Sequence, residues 1–186
     1  SEGKVRHYGV ALGPAIGWKA EGTAVLRDRK IEVLHHIYNL LEQDPGRGFM
    51  ETAEQKGVGS LVRVPHSSGM LEGKYTADTT FDASDHRSHR PKEWLTNGLK
   101  KIEQLRFLHE DTGRTIGQAA IQYILDSWPC VTSVLPNIYD AEQLKEFAEA
   151  SDTPSLTVEE IARVLALYES NFGLERAQEA APTPAA

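Results

Sequence analysis

The sequence holds a single cysteine, Cys130, so no disulfide can form within the chain. A lone thiol beside an apolar run reads as a buried structural group. Positive charge is scarce too: 20 Lys and Arg stand against 27 Asp and Glu, a formal net charge of -7. A chain of that sign is a poor partner for a phosphate backbone, which argues against nucleic-acid binding. No apolar run approaches the roughly 20 residues that a membrane helix needs, and no secretory signal is visible. A reducing, cytoplasmic location is the expectation. There is no Met at the start. The chain opens at Ser1-Glu2-Gly3-Lys4 and enters a strand pattern within a few residues, an opening that reads as a cut or an incomplete reading frame.

What is there is an ordinary globular balance: 186 residues, 40% hydrophobic and 25% charged, enough for one core. The organising stretch is Gly59-Ser60-Leu61-Val62-Arg63-Val64-Pro65, followed by His66-Ser67-Ser68-Gly69. A β-rich run that stops at proline reads as a buried strand reaching its carboxyl end. In parallel α/β folds that end carries the site. Ser67, Ser68 and Gly69 offer backbone N–H groups and small hydroxyls, the groups that cradle phosphate oxygens. On local pattern alone the stretch reads first as a connecting loop with a helix cap, since most Gly/Ser-rich loops bind nothing.

Residues 5–12 read as a first strand, with Tyr8, Val10 and Leu12 on one face. Residues 13–18 break it. Residues 21–29 have helical composition, and residues 31–37, with His35 and His36 on opposite faces, form a second strand. Asp44-Pro45-Gly46 is a turn signal. Residues 49–56 read as a short helix closed by Gly57, and residues 60–64 as the third strand. The polar stretch 76–91 is long for a loop and reads as a lid or binding segment. Leu95, Leu99, Ile102, Leu105 and Leu108 recur at helical spacing over residues 93–110. Thr115 caps a helix over residues 116–127, with Ile116, Ala119, Ala120, Tyr123 and Ile124 on its buried stripe. Residues 131–135 are the fourth strand, again stopped by a proline. Asp140 opens a helix over residues 141–150, and Thr157-Val158-Glu159-Glu160 resembles a capping box opening the last helix. Residues 1–174 form the folded unit, and residues 175–186 an Ala/Pro/Gln tail that reads as disordered. Strands separated by helices imply parallel pairing through right-handed crossovers. The fold class is therefore α/β: four βα units with parallel strands, half of an eight-stranded barrel or a small open sheet.

Four segments, in order, resemble the aldo-keto reductases. Gly3-Lys4-Val5-Arg6-His7-Tyr8-Gly9-Val10 is similar to that family's fifth barrel strand, and Tyr38-Asn39-Leu40-Leu41 to the end of its sixth. Pro65 through Tyr75, with Gly69, Leu71 and Gly73-Lys74-Tyr75, resembles its seventh strand and the following loop. Residues 115–125, Val131-Thr132-Ser133-Val134-Leu135-Pro136 and Glu142-Gln143-Leu144 resemble its last helix–strand–helix unit. The resemblance implies the carboxyl-terminal half of a (β/α)8 TIM-type barrel. It also implies an oxidoreductase that reduces a carbonyl by hydride transfer, with NADPH (NADP) as the usual cofactor and NAD the less common one. Residues carry over one by one. The loop of Pro65, His66, Ser67, Ser68, Gly69, Leu71 and Gly73 would wrap the pyrophosphate. Asn137, Ile138 and Tyr139, with Gln143 and Glu146 on the next helix, would meet the adenosine phosphate end. Arg63 stands where the family has a tyrosine stacked on the nicotinamide; a guanidinium also stacks on a flat ring. His35 stands where a glutamine contacts the carboxamide, and supplies one hydrogen bond there. Ala11 and Leu12 replace the usual Ser-Asn, and Asn137 the usual glycine.

The family's catalytic Asp, Tyr, Lys and His belong to its first four strands. No stretch here resembles those strands, so no catalytic role falls to any residue, and the chain alone is expected to lack reductase activity. The implied partners are the nicotinamide cofactor, a small carbonyl substrate in the complete enzyme, and an amino-terminal half or a second copy. An alternative stays open: a non-catalytic half-barrel, a binding or structural module that pairs with itself or a partner chain. Its motive is the pair of unpaired strand edges and the open inner face that four parallel strands leave. Asp85, His86 and His89 lack the spacing of metal ligands, and Arg87 and Arg90 repel a cation, so no metal is read there. Arg87, Arg90 and Lys92 are candidates to close over phosphates or an anionic substrate; the other reading is a solvated loop. His66 is a candidate phosphate donor or a plain cap, and Trp18 either lines a pocket or covers a neighbouring helix.

Overall fold

The computed structural model describes residues 3–13 and 18–175. Most of the loop expected over residues 13–18, and the tail from residue 176, lie outside the described residues. Strands and helices alternate. β1 (Gly9–Ala11) leads to α1 (Lys19–Asp28), β2 (Val33–Ile37) to α2 (Gly46–Lys56), and β3 (Gly59–Arg63) to α3 (Lys92–Glu103) and α4 (Ile116–Ser127). β4 (Val131–Leu135) is followed by α5 (Ala141–Ala148) and α6 (Val158–Glu169). The strands pair in chain order, β1-β2-β3-β4, and every pairing is parallel. These are four βα units lying side by side in one open sheet.

Alternation along each strand decides which residues face the helices. Leu34, His36, Ser60 and Val62 face them and are buried. Val33, His35, Ile37, Leu61 and Arg63 point the other way and are half-buried. The core therefore lies on one side of the sheet. Its larger part joins Tyr38, Leu40, Met50 and Val62 to Tyr123 and Ile124 of α4 and Val164 of α6. There the hydroxyls of Tyr38 and Tyr123 lie 2.8 Å apart, with the rings stacked at 5.7 Å. A smaller part packs Leu26, Leu34, Phe49 and Ala53 between α1, α2 and the sheet. Burying a Leu, Phe, Met or Val side chain in these clusters contributes about 1.5–3 kcal/mol.

Several boundaries differ from the sequence reading. β1 begins at Gly9 and not at Val5, because Val5 and Tyr8 sit on the outer edge and are exposed. β2 begins at Val33, where pairing with Gly9 starts. α2 begins at Gly46, since the turn signal Asp44-Pro45-Gly46 is itself the helix start. Arg47 N donates to Gln43 O at 2.8 Å and Phe49 N to Pro45 O at 3.2 Å, and proline suits a first turn. Gly57 closes α2 with φ +67, as expected of a C-cap glycine. α3 stops at Glu103, short of residue 110. Leu105 N donates to Ile102 O at 2.8 Å and Leu108 N to Leu105 O at 2.9 Å. This tighter winding lets Leu105 and Leu108 both face the core, where neither is exposed.

Candidate functional site

All four strands run the same way, so the residues after them share one rim. At that rim β3 ends in an unusual backbone path. Val64 has φ +58, rare for a β-branched residue. Ser67, Ser68 and Gly69 follow with φ +47, +59 and +88, three consecutive left-handed residues. Met70 N donates back to Ser67 O (3.3 Å), Leu71 N to His66 O (3.1 Å) and Glu72 N to Gly69 O (3.2 Å). The amides of Ser68 and Gly69 meet no acceptor among the described residues. Successive N–H groups left free in a tight turn suit an anion.

Asn39, fully buried just past β2, holds this turn in place. Its Nδ2 donates to Val64 O (2.9 Å) and Glu42 Oε2 (2.7 Å), and its Oδ1 accepts from the amides of Leu41 and Glu42 (2.9 Å each). Ser67 Oγ in turn donates to Glu42 Oε2 at 3.1 Å. Sequence reasoning gave Asn39 only as part of a motif. The signal available was its type, since an Asn at a strand end readily bonds the backbone just after it.

His66 is placed inside. It is 4% exposed, its Nε2 lies 3.1 Å from Gly117 O, and its ring stacks on Phe147 at 4.2 Å. Burial pushes its imidazole down to about 4. It ties the turn to α4 and presents no free donor at the surface. Leu71 is buried beneath the turn, and Gly73 ends the following short winding with φ +70.

Beyond β4, Asn137, Ile138 and Tyr139 are exposed. Gln143 is 3% exposed and engaged at both ends of its amide. Its Oε1 accepts from Tyr139 N and its Nε2 donates to Glu72 Oε2, both at 2.9 Å. Gln143 thus clamps the loop after β3 to the start of α5. Burial raises the Glu72 carboxyl, Lys74 and Arg87 oppose that, and Glu146 and Asp140 add to it. Glu146 accepts from Thr115 Oγ1, which joins α5 to the cap of α4.

On the half-buried face of the sheet two nitrogens have no partner among the described residues: His35 Nε2 and Arg63 Nε. Arg63 uses its Nη2 to reach Leu12 O at 2.9 Å and Gly13 O, at the end of β1. Burial and the Arg63 charge both lower the His35 imidazole. Buried nitrogens left unpaired suit a ligand bearing an amide or carbonyl. Trp18 starts α1 and is 40% exposed. Asp85 is bound to Arg87, and His86 is exposed. Among the described residues no group of His, Cys, Asp or Glu side chains is arranged to hold a metal. No described helix is long and apolar enough to cross a membrane.

The profile of the Aldo/keto reductase family matches residues 1–169. The chain belongs to that family. Among characterised aldo-keto reductases it is similar to the L-glyceraldehyde 3-phosphate reductase of Escherichia coli (strain K12), 32% identical over 149 residues, which cover 75% of this chain and 43% of that protein. It is also similar to aldo-keto reductase str7 of Strobilurus tenacellus, 29% identical over 91% of this chain and 51% of that protein. The chain spans about half the length of the curated relatives it matches. The solved glycerol dehydrogenase AKR11B4 of Gluconobacter oxydans superposes with a TM-score of 0.75 at 24% identity, over 99% of this chain and 54% of that one. Aldo-keto reductase AKR11C1 of Bacillus halodurans gives 0.65 at 22% identity, over 89% and 51%. The four βα units are thus one half of an aldo-keto reductase (β/α)8 barrel, in an oxidoreductase family.

Proposed function

We propose that this chain is the cofactor-binding half of an NAD(P)H-dependent reductase that acts on small carbonyl compounds. The turn of Ser67, Ser68 and Gly69 carries the reading, with two free amides at the carboxyl end of a barrel strand. Those amides would receive the pyrophosphate. His35 and Arg63, each with an unpaired nitrogen, would orient the nicotinamide amide. Asn137, Ile138 and Tyr139, on a loop fixed by Gln143, would lie along the adenosine end, with Glu146 one turn further along α5. NADPH, the family's usual cofactor, is the first to test and NADH the second. When bound, the cofactor supplies the hydride. The chain's own residues hold it and set its orientation; none is assigned the proton transfer, which positioned acid catalysis speeds by roughly 10²–10⁴-fold.

The test is a titration of the purified chain with NADPH, followed by tryptophan fluorescence, with circular dichroism to confirm folding. Saturable quenching is expected, together with no NADPH-dependent carbonyl reduction by the chain on its own. A folded chain whose fluorescence ignores the nucleotide overturns the reading, and turnover above a no-protein control overturns its second part.

A further inference from the structure

Residues 76–91 run as a strap with one short helical turn, His86–His89. Arg87 is its main fastening. Arg87 Nε donates to both carboxylate oxygens of Asp85, at 2.9 and 3.0 Å, and Nη2 donates to Oδ2. Asp85 Oδ1 also accepts the Arg87 amide at 2.8 Å. The remaining edge of the guanidinium meets the Ser67–Ser68–Gly69 turn. Nη1 donates to Tyr75 Oη and lies 3.5 Å from Ser68 O, and Tyr75 Oη itself donates to Ser68 O at 2.9 Å. A Cβ on Gly69 would collide with Tyr75 Oη and fall 3.2 Å from Arg87 Nη1, so this pair backs directly onto the turn. Phe81 lies under the guanidinium at 5.0 Å. Arg90 adds a second tie, stacked on Trp94 at 4.7 Å with its Nη2 3.4 Å from Ser68 Oγ.

Left-handed serines persist only where their surroundings hold them. Asn39 holds the turn from the β2 side, and the strap holds it from the other. Arg87 is not a free cation waiting for phosphate, because Asp85 engages its fork. We propose that Arg87 is a positioning residue for the dinucleotide: braced by Asp85, it fixes the carbonyl of Ser68 and so keeps the two free amides in place. This rests on the cofactor reading above.

A direct phosphate contact and a brace predict opposite results. Arg87→Lys keeps the charge and loses the planar fork. Asp85→Asn removes a negative charge and weakens the brace. A contact role predicts that R87K binds NADPH nearly as well as the unsubstituted chain and that D85N binds it more tightly. A brace predicts that both bind more weakly, by about 10- to 100-fold, the scale of one hydrogen bond to a charged group. The experiment measures NADPH titration by tryptophan fluorescence and amide exchange of residues 66–70 in all three chains. The expected result is weaker binding and faster exchange of residues 66–70 in both variants, with circular dichroism unchanged. Unsubstituted-like affinity in R87K, or tighter binding by D85N, overturns the assignment of Arg87 alone. If NADPH gives residues 66–70 no protection in the unsubstituted chain, the cofactor reading falls and takes the assignment with it.

Discussion

His36 and His66 are bases kept neutral by burial. His36 lies under α2, edge-on to Phe49 at 5.7 Å, and His66 lies flat on Phe147. Burial lowers each from 6.5 to about 4. The unfolded chain therefore takes up both protons as the pH falls through 6.5, and the folded chain does not until about 4. Stability is level above that window and is lost on acidification through it, by at most about 3 kcal/mol per histidine. Urea unfolding at pH 7.5 and 4.5 measures this, and His66→Gln, which keeps a donor toward Gly117, should make the difference smaller. A profile that stays flat would mean that the rings are hydrated. At this scale the sequence was legible in part. Strand alternation put His35 and His36 on opposite faces, and the structure does too. It could not show that His66 turns inward, because Phe147 and Gly117 come from elements far along the chain.

α4 shows how much an element's own chemistry can specify. Thr115 Oγ1 accepts from Gln118 N, and Gln118 Oε1 accepts from Thr115 N, both at 3.0 Å. The same hydroxyl donates to Glu146, so the cap also docks α5. Thr115→Ala is expected to cost about 1 kcal/mol for the cap. Thermal unfolding should show it, and an unchanged midpoint would place the helix start elsewhere. Cap, apolar stripe and proline stop were all visible, and α4 and β4 occupy the residues that the sequence indicated. The sequence overextends α3 because its leucine spacing continues through Leu105 and Leu108 after the winding tightens. The sequence predicts a long polar loop over residues 76–91, and the structure has one, with a single short helical turn. Its tie to the site was hidden, since Asp85, Arg87, Tyr75 and Ser68 follow no period that a sequence displays.

At the scale of the whole molecule, the helices among the described residues cover one side of the sheet. Val33, His35, Ile37, Leu61 and Arg63 remain half-buried on the other, and Leu135 is 40% exposed. A hollow of about 360 Å³ lies against this face, lined by residues that include Val10, Val33, His35 and Leu61. An apolar sheet face with open edges favours association. Sedimentation of the purified chain should therefore show association that grows with concentration, and a monodisperse monomer throughout would count against any pairing role. The four parallel strands were legible because each strand run was separated from the next by a helical one. The openness of the inner face followed from their number. The short β1 has a consequence for such pairing. Two copies that closed a ring of parallel strands would meet by two-fold symmetry, β4 of each beside β1 of the other. β1 has three residues and β4 has five, so each seam could be no longer than the shorter strand. A symmetric ring of this chain would have two weak seams at opposite points of its circumference, and it would open there first.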